Sequence, residues 1–311
     1  MIQSFKYTFK NLKNTKGFLS SMLIMPILMV ILVTLTLSYS NTPVVGLVKD
    51  DPATNFSLAT VRTQELEADQ ADYFLASLEG TLVVYVASDG SVKNYYSSVK
   101  NNPLISQVEN DYKSSGEVFK EAPSIAYSIG IIIFKLITAG GLLATIVIQE
   151  KNNKIFVRLR NAKLGIFEHV LGKLLAIFLV YQVANGLIIA FYYLAGFSFG
   201  QSNVWDVFLV FTLALVLSFG LYTFVASLLD NEGYIWVIST GILFPLALFS
   251  GVLFPIATMP EWMKLIAHIS PQYYLSDMLI TGEVSLVSCG IMLVVATVLF
   301  VLGVKQLEKV A

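Results

Sequence analysis

The feature that most limits what this chain can become is Gly17 to Leu37, 21 residues without a single charge. At ~1.5 Å per residue a helix of that length crosses the ~30 Å hydrocarbon core of a bilayer, where every backbone polar group must be bonded internally. A cleaved signal peptide is the rival reading, but the run exceeds a typical apolar core and Ser38-Tyr39-Ser40 is a poor cleavage site, so it reads as a retained span. Apolar segments recur downstream, and the chain divides into spans at 17–39, 124–148, 174–199, 207–229, 234–255 and 284–304. With 56% hydrophobic and 13% charged residues and a mean hydropathy of +0.71, this is a polytopic membrane protein.

The polar segments between the spans fix the orientation. Residues 1–16 carry Lys6, Lys10, Lys13 and Lys16 and no acid, while Ile2, Phe5, Phe9 and Leu12 recur at i, i+3, i+7 and i+10. That pattern predicts an interfacial helix, apolar face down and lysines toward anionic headgroups. Residues 149–173 form a charged island in which Lys151, Lys154, Arg158, Arg160, Lys163 and Lys173 outnumber Glu150 and Glu168. Basic loops resist translocation, so this island and both termini, with Lys305 and Lys309 in the tail at 305–311, belong in the cytoplasm.

The only large polar region, 40–123, holds twelve acids between Asn41 and Ala122 against six bases, a balance compatible with export. Val44 to Val48 and Leu82 to Val86 read as buried strands, and Val92 to Tyr96 as the partner of the second across the Asp89-Gly90 turn. Phe56 to Leu66 and Ala71 to Leu78 read as helices. The predicted fold class is an all-α integral membrane protein of six transmembrane helices, with a small α+β extracytoplasmic domain inserted between the first and second spans. Residues 256–283 are too polar to span and carry Trp262, Leu265, Ile266 and Ile269 on one face, an outer interfacial or re-entrant segment.

Few residues offer chemistry. Cys289 is alone, and His169 and His268 fall on opposite predicted sides, so no metal-ligand spacing exists. There is no GxxxxGK[ST], HExxH or GxSxG, and no dense intramembrane acid relay. The chain is expected to be no enzyme; uphill transport would take its energy from another subunit. Lys135, near the middle of the second span, must face protein or water, either as a contact in a translocation path or with an anionic group, or as a structural partner of another span. Gln182 and Asn185 in the third span either line that path or bond helix to helix. In the island Ile155, Leu159 and Ala162 recur at i, i+4 and i+7 with Arg158, Arg160 and Lys163 between them, a short amphipathic helix or else a tether charged to set orientation.

Two stretches carry a resemblance. Ser250-Gly251-Val252-Leu253-Phe254-Pro255, then Met259-Pro260-Glu261-Trp262, Ile266 and Ser270-Pro271, are similar to the pattern between spans five and six of the ABC-2 type permease family. Glu150 through Arg158-Leu159-Arg160-Asn161 to Leu171-Gly172-Lys173 resembles that family's segment seated on the ATPase, with Asn161-Ala162-Lys163 where a Ser-Pro is frequent. The order of helix, span, insert and five further spans also resembles the family, and the insert resembles that of small bacterial drug, antibiotic or sodium exporters.

The resemblance implies the permease subunit of a bacterial ATP-binding cassette exporter in the inner membrane, moving a drug, antibiotic, peptide or lipid-like substrate outward. It implies two copies of an ATPase subunit carrying ATP and Mg, a second permease copy or sibling, and no nucleic acid. Glu150, Ile155, Phe156, Arg158, Leu159, Arg160 and Asn161 would then form the coupling helix region, with the apolar members seated in the ATPase and the arginines bonding its carboxylates or carbonyls. The other class of protein open to this sequence is a membrane-anchored sensor or immunity protein whose ectodomain binds a peptide.

Overall fold

The computed structural model describes residues 1–14, 28, 44–54, 62–76, 80–97, 105, 120–121, 126–194, 202–250 and 259–310. Apart from Leu28, the expected first span lies outside the described residues, as do Gly251, Phe254 and Pro255.

Helix α1 (Ile2–Asn14) opens the chain. A sheet domain follows, with β1 (Val44–Lys49), β2 (Arg62–Glu65), α2 (Ala71–Ala76), β3 (Gly80–Val86), β4 (Val92–Ser97) and β5 (Lys120–Glu121). The strand order is β2-β1-β3-β4-β5, with β1 parallel to both β2 and β3 and with β3–β4 an antiparallel pair. Period-2 alternation sorts β3 cleanly: Leu82, Val84 and Val86 pack with Val45, Leu47, Val92 and Tyr95 on one face, while Val83 packs with Leu66, Phe74 and Leu75 on the other. Both faces are covered, as a mostly parallel sheet requires.

The helix expected over Phe56 to Leu66 is not what the described part forms. Arg62–Glu65 is an edge strand in register with Val44–Leu47, anchored by Leu66 packing beneath Phe74 and by a Lys49–Glu65 ion pair of 2.5 Å. Strand pairing with an already ordered β1 outweighs the weak helical preference of so short a segment.

The helical part runs α3 (Ala126–Thr138), α4 (Gly140–Asn152), α5 (Ile155–Asn161), α6 (Ile166–Leu194) and α7 (Val204–Leu228). It continues through α8 (Gly233–Ile238), a π-helical turn at Ser239–Leu243, α9 (Phe244–Leu248), α10 (Glu261–Ile269), α11 (Pro271–Thr281) and α12 (Leu286–Val310). Among the described residues four helical stretches are long and apolar enough to cross a membrane: Ile132–Asn152, Ile166–Leu194, Val204–Leu228 and Leu286–Val310. Gly233–Leu248 is apolar but shorter.

Three boundaries differ from the sequence expectation. The second span continues from α3 into α4 through Ala139, which keeps helical angles, but its backbone ladder is interrupted there by Ser218 of α7. Its Oγ accepts from the Gly140 amide at 2.7 Å and donates to the Ile137 carbonyl at 2.5 Å. Helix α6 begins at Ile166, well inside the segment expected as loop, and α12 continues through the expected tail to Val310. Charged residues end an apolar run without ending a helix, because Lys and Glu are good helix formers.

Helix α7 is the axis of the bundle: 67% of its apolar window is buried, against 28% for α12. Close approach makes this possible. A Cβ on Gly220 would lie 2.3 Å from the Ala296 carbonyl of α12, so only glycine lets the two backbones meet there.

Candidate functional site

The charged island folds into a tight elbow. Lys154 (φ 56°) and Lys163 (φ 57°) both adopt the left-handed conformation, uncommon for residues with a side chain, and they bracket α5 on either side. The result is a seven-residue rod held between two sharp turns. Arg158, Arg160 and Asn161 are exposed on it, Ile155 and Leu159 half-buried. Phe156 departs from the expectation that it seats in a partner: it is buried within this chain, edge-to-face against His169 with ring centroids 6.2 Å apart. In its place the exposed apolar groups are Leu164 and Phe167, outside the i, i+4, i+7 stripe that sequence periodicity singled out.

Glu150, at the end of α4, is the centre of the site. Its Oε1 lies 2.8 Å from Nζ of Lys173, which is only 2% exposed, and its Oε2 lies 3.0 Å from Nε2 of His169. His169 Nδ1 is 2.9 Å from the Ser4 hydroxyl of α1. With Nε2–H donating to Glu150, the ring accepts from Ser4 at the other nitrogen, so both nitrogens are used. Lys173 also sits 5.9 Å above the Tyr7 ring of α1. α1 approaches so closely here that a Cβ on Gly172 would meet the Met1 carbonyl at 2.5 Å.

Neighbouring residues fasten the same helix end to α7. Lys151 Nζ donates to the Ser227 and Leu229 carbonyls at 3.2 and 3.1 Å, which α7 leaves open at its C-terminus, and pairs with Asp230 at 2.7 Å. Asn152 donates to the Asp230 carbonyl at 2.8 Å, and Gln149 to Glu232 at 2.8 Å. Consecutive residues of α4 therefore grip α6 with α1, the end of α7, and the turn into α8.

α1 itself is turned differently from expectation. Thr8 and Leu12 are buried and Phe5 half-buried, while Ile2 and Phe9 are exposed. Its buried side packs on α6, because a neighbouring helix offers closer contacts than the stripe alone anticipates. Between α1 and the α5–α6 turn lies a groove of about 460 Å³ lined by Met1, Ile2, Ser4, Leu159, Leu164 and His169.

The sequence profile of the ABC-2 type transporter family matches residues 80–284, about two thirds of the chain, and takes in the whole elbow. The chain belongs to the ABC-2 type transporter family. No curated protein matches it. As an ABC-2 member it is a membrane-embedded permease component whose family works with an ABC ATPase.

Of the motif after the fifth span, Ser250 is buried, Pro260 caps α10, Trp262 is exposed, and Pro271 opens α11 behind Ser270, whose hydroxyl accepts from the Gln272 amide at 3.2 Å. Of the residues expected to line a path, Gln182 and Asn185 meet and Lys135 does not join them. Gln182 donates to Thr212 of α7 at 2.8 Å, a bond that holds α6 to α7, and accepts from Asn185 of its own helix at 3.3 Å. Lys135 stands apart on α3, half-buried and without an ion-pair partner among the described residues.

Proposed function

We propose that the chain is the permease subunit of an ATP-binding cassette exporter, paired with a second permease and with two ATPase subunits that carry ATP and Mg. The observation that carries this reading is the Glu150 junction. A short rod between two left-handed turns, beside a hub that ties α4 to α6 and α7, suits the passage of motion from an attached ATPase into the bilayer. Arg158, Arg160, Leu164 and Phe167 supply an exposed basic and apolar face for that partner.

In this reading the chain has six spans, with the elbow and both termini on the cytoplasmic side of the cell membrane and the sheet domain outside. The positive residues of the island support that orientation. The path runs beside the second span. Lys135, Thr138, Thr145 and Gln149 recur there at i, i+3, i+10 and i+14, all at least half-open while the opposite face of the helix is buried. Lys135 suits cargo with an anionic group.

The test is affinity purification from native membranes in mild detergent. A P-loop ATPase should co-purify in stoichiometric amount and be lost from the Arg158→Glu/Arg160→Glu variant, which still inserts in the membrane. If no ATPase appears under conditions that preserve other such complexes, the reading fails.

A further inference from the structure

Among the described residues the short helix α2 joins the sheet domain to the helical bundle, dividing its side chains between two cores. Phe74 and Leu75 join Val83 and Leu66 under the sheet, whereas Tyr73 belongs to the core cluster of the bundle. Tyr73 is 8% exposed, and its hydroxyl donates to Asp277 of α11. Its ring stacks on Tyr273 of the same helix, with centroids 6.0 Å apart and planes 3° from parallel. Tyr273 in turn packs against His268 of α10 at 4.7 Å and Tyr274 at 5.2 Å. Burial, then the bond to Asp277, holds the Tyr73 hydroxyl above the ordinary tyrosine range, so it keeps its proton and remains the donor.

Helix α11 is itself tied to the spans. Gln272 donates to the Leu243 carbonyl at 3.0 Å, at the end of the π-helical turn where the fifth apolar segment is interrupted, and Ser202 donates to the Leu279 carbonyl at 3.2 Å. α11 also packs against α3, the helix that bears Lys135. A movement of these spans therefore reaches α11, and from α11 the contact with α2.

We propose that the Tyr73–Asp277 contact is a latch that locks the sheet domain onto the α10–α11 hairpin, and that it opens when the outer mouth opens to release cargo. This rests on the exporter reading, which places the sheet and the hairpin on the same outer side. A hydroxyl bonded to a carboxylate beside a stacked ring suits such a switch: it is strong enough to hold one state and weak enough for one ATPase cycle to break.

Hydrogen exchange over residues 71–76 and 271–281 tests it in two steps. With the permease in nanodiscs, Tyr73→Phe keeps the ring but removes the donor, and exchange in both segments should rise about tenfold or more, the weight of one hydrogen bond to a charged acceptor. Asp277→Asn keeps an acceptor and should give a smaller rise; unchanged exchange in both variants overturns the latch. In the complex with its ATPase, trapping with ATP and vanadate should raise exchange of the unmodified chain in the same two segments. No change on trapping makes the contact a fixed joint and overturns the gate. Absence of any ATPase sinks the exporter reading instead, while the variant comparison still decides the contact.

Discussion

Replacing Glu150 with glutamine removes the charge from the centre of the elbow and leaves Lys173, 2% exposed, without an acid. At 2.8 Å and an effective dielectric of about 20, the two charges attract by roughly 6 kcal/mol, most of which offsets the desolvation of both. The pair therefore contributes little net stability, yet breaking it exposes the uncompensated cost of a buried ammonium, ~3–5 kcal/mol. Glutamine still accepts a hydrogen bond from Lys173, so the lower end of that range is expected. At about 2 °C per kcal/mol for a chain of this size, Glu150→Gln should lower the melting temperature by ~6 °C or more. Lys173→Met should cost less, because Glu150 keeps His169 and lies nearer solvent. The double variant should recover to within about 1–2 kcal/mol of the unmodified protein, since an apolar replacement of a buried pair is often neutral.

The assay is tryptophan fluorescence of the purified chain during heating, read as a double-mutant cycle, with ATPase co-purification followed in parallel. If Glu150→Gln melts within about 2 °C of the unmodified protein, or if the double variant loses the sum of the single losses, the pair is not coupled and the reasoning from burial fails.

Two further outcomes follow from packing and titration. Gly220→Val puts a Cβ 2.3 Å from the Ala296 carbonyl and should force α7 and α12 apart at a cost of ~1–3 kcal/mol or more, whereas Gly290→Ala meets nothing within 4 Å and should be neutral or mildly stabilising by melting temperature. Tyr85, in the sheet, is pushed up from 10.0 to about 12 by burial, then by the neighbouring Tyr96 and Asp72. Its raised pKa means a stability contribution fully present below pH 10 and lost as pH rises toward about 12. Alkaline titration of phenolate absorbance should show one fewer late-ionising tyrosine in Tyr85→Phe than in the unmodified chain.

Much of the bundle was legible residue by residue. The bilayer demands a fixed length of apolar helix, so spans announce themselves whatever they pack against, and the continuous apolar runs of β1 and β3, bounded by turn residues, announce buried strands in the same way. Within the elbow Lys154, Arg158, Arg160, Asn161 and Lys163 fell on the exposed side that their chemistry predicts, whereas Lys173 turned inward. Phe156 did not, because a seven-residue helix between two sharp turns has too few residues for periodicity to fix its facing. Glu150 was legible as a position but not as a hub, and Ser218 was one of several hydroxyls in an apolar run with nothing to single it out.

The sequence by itself determined that this chain lives in a membrane, where its charges collect, and which family it resembles, since each depends on residue types along a local stretch. Which groups meet was decided only by tertiary structure. Ser4 reaches His169 across 165 positions, Gly140 meets Ser218 across 78, and Tyr73 finds Asp277 across 204. Such pairings follow from how helices turn and cross once packed, and a buried polar group takes whichever partner that packing brings within bonding distance.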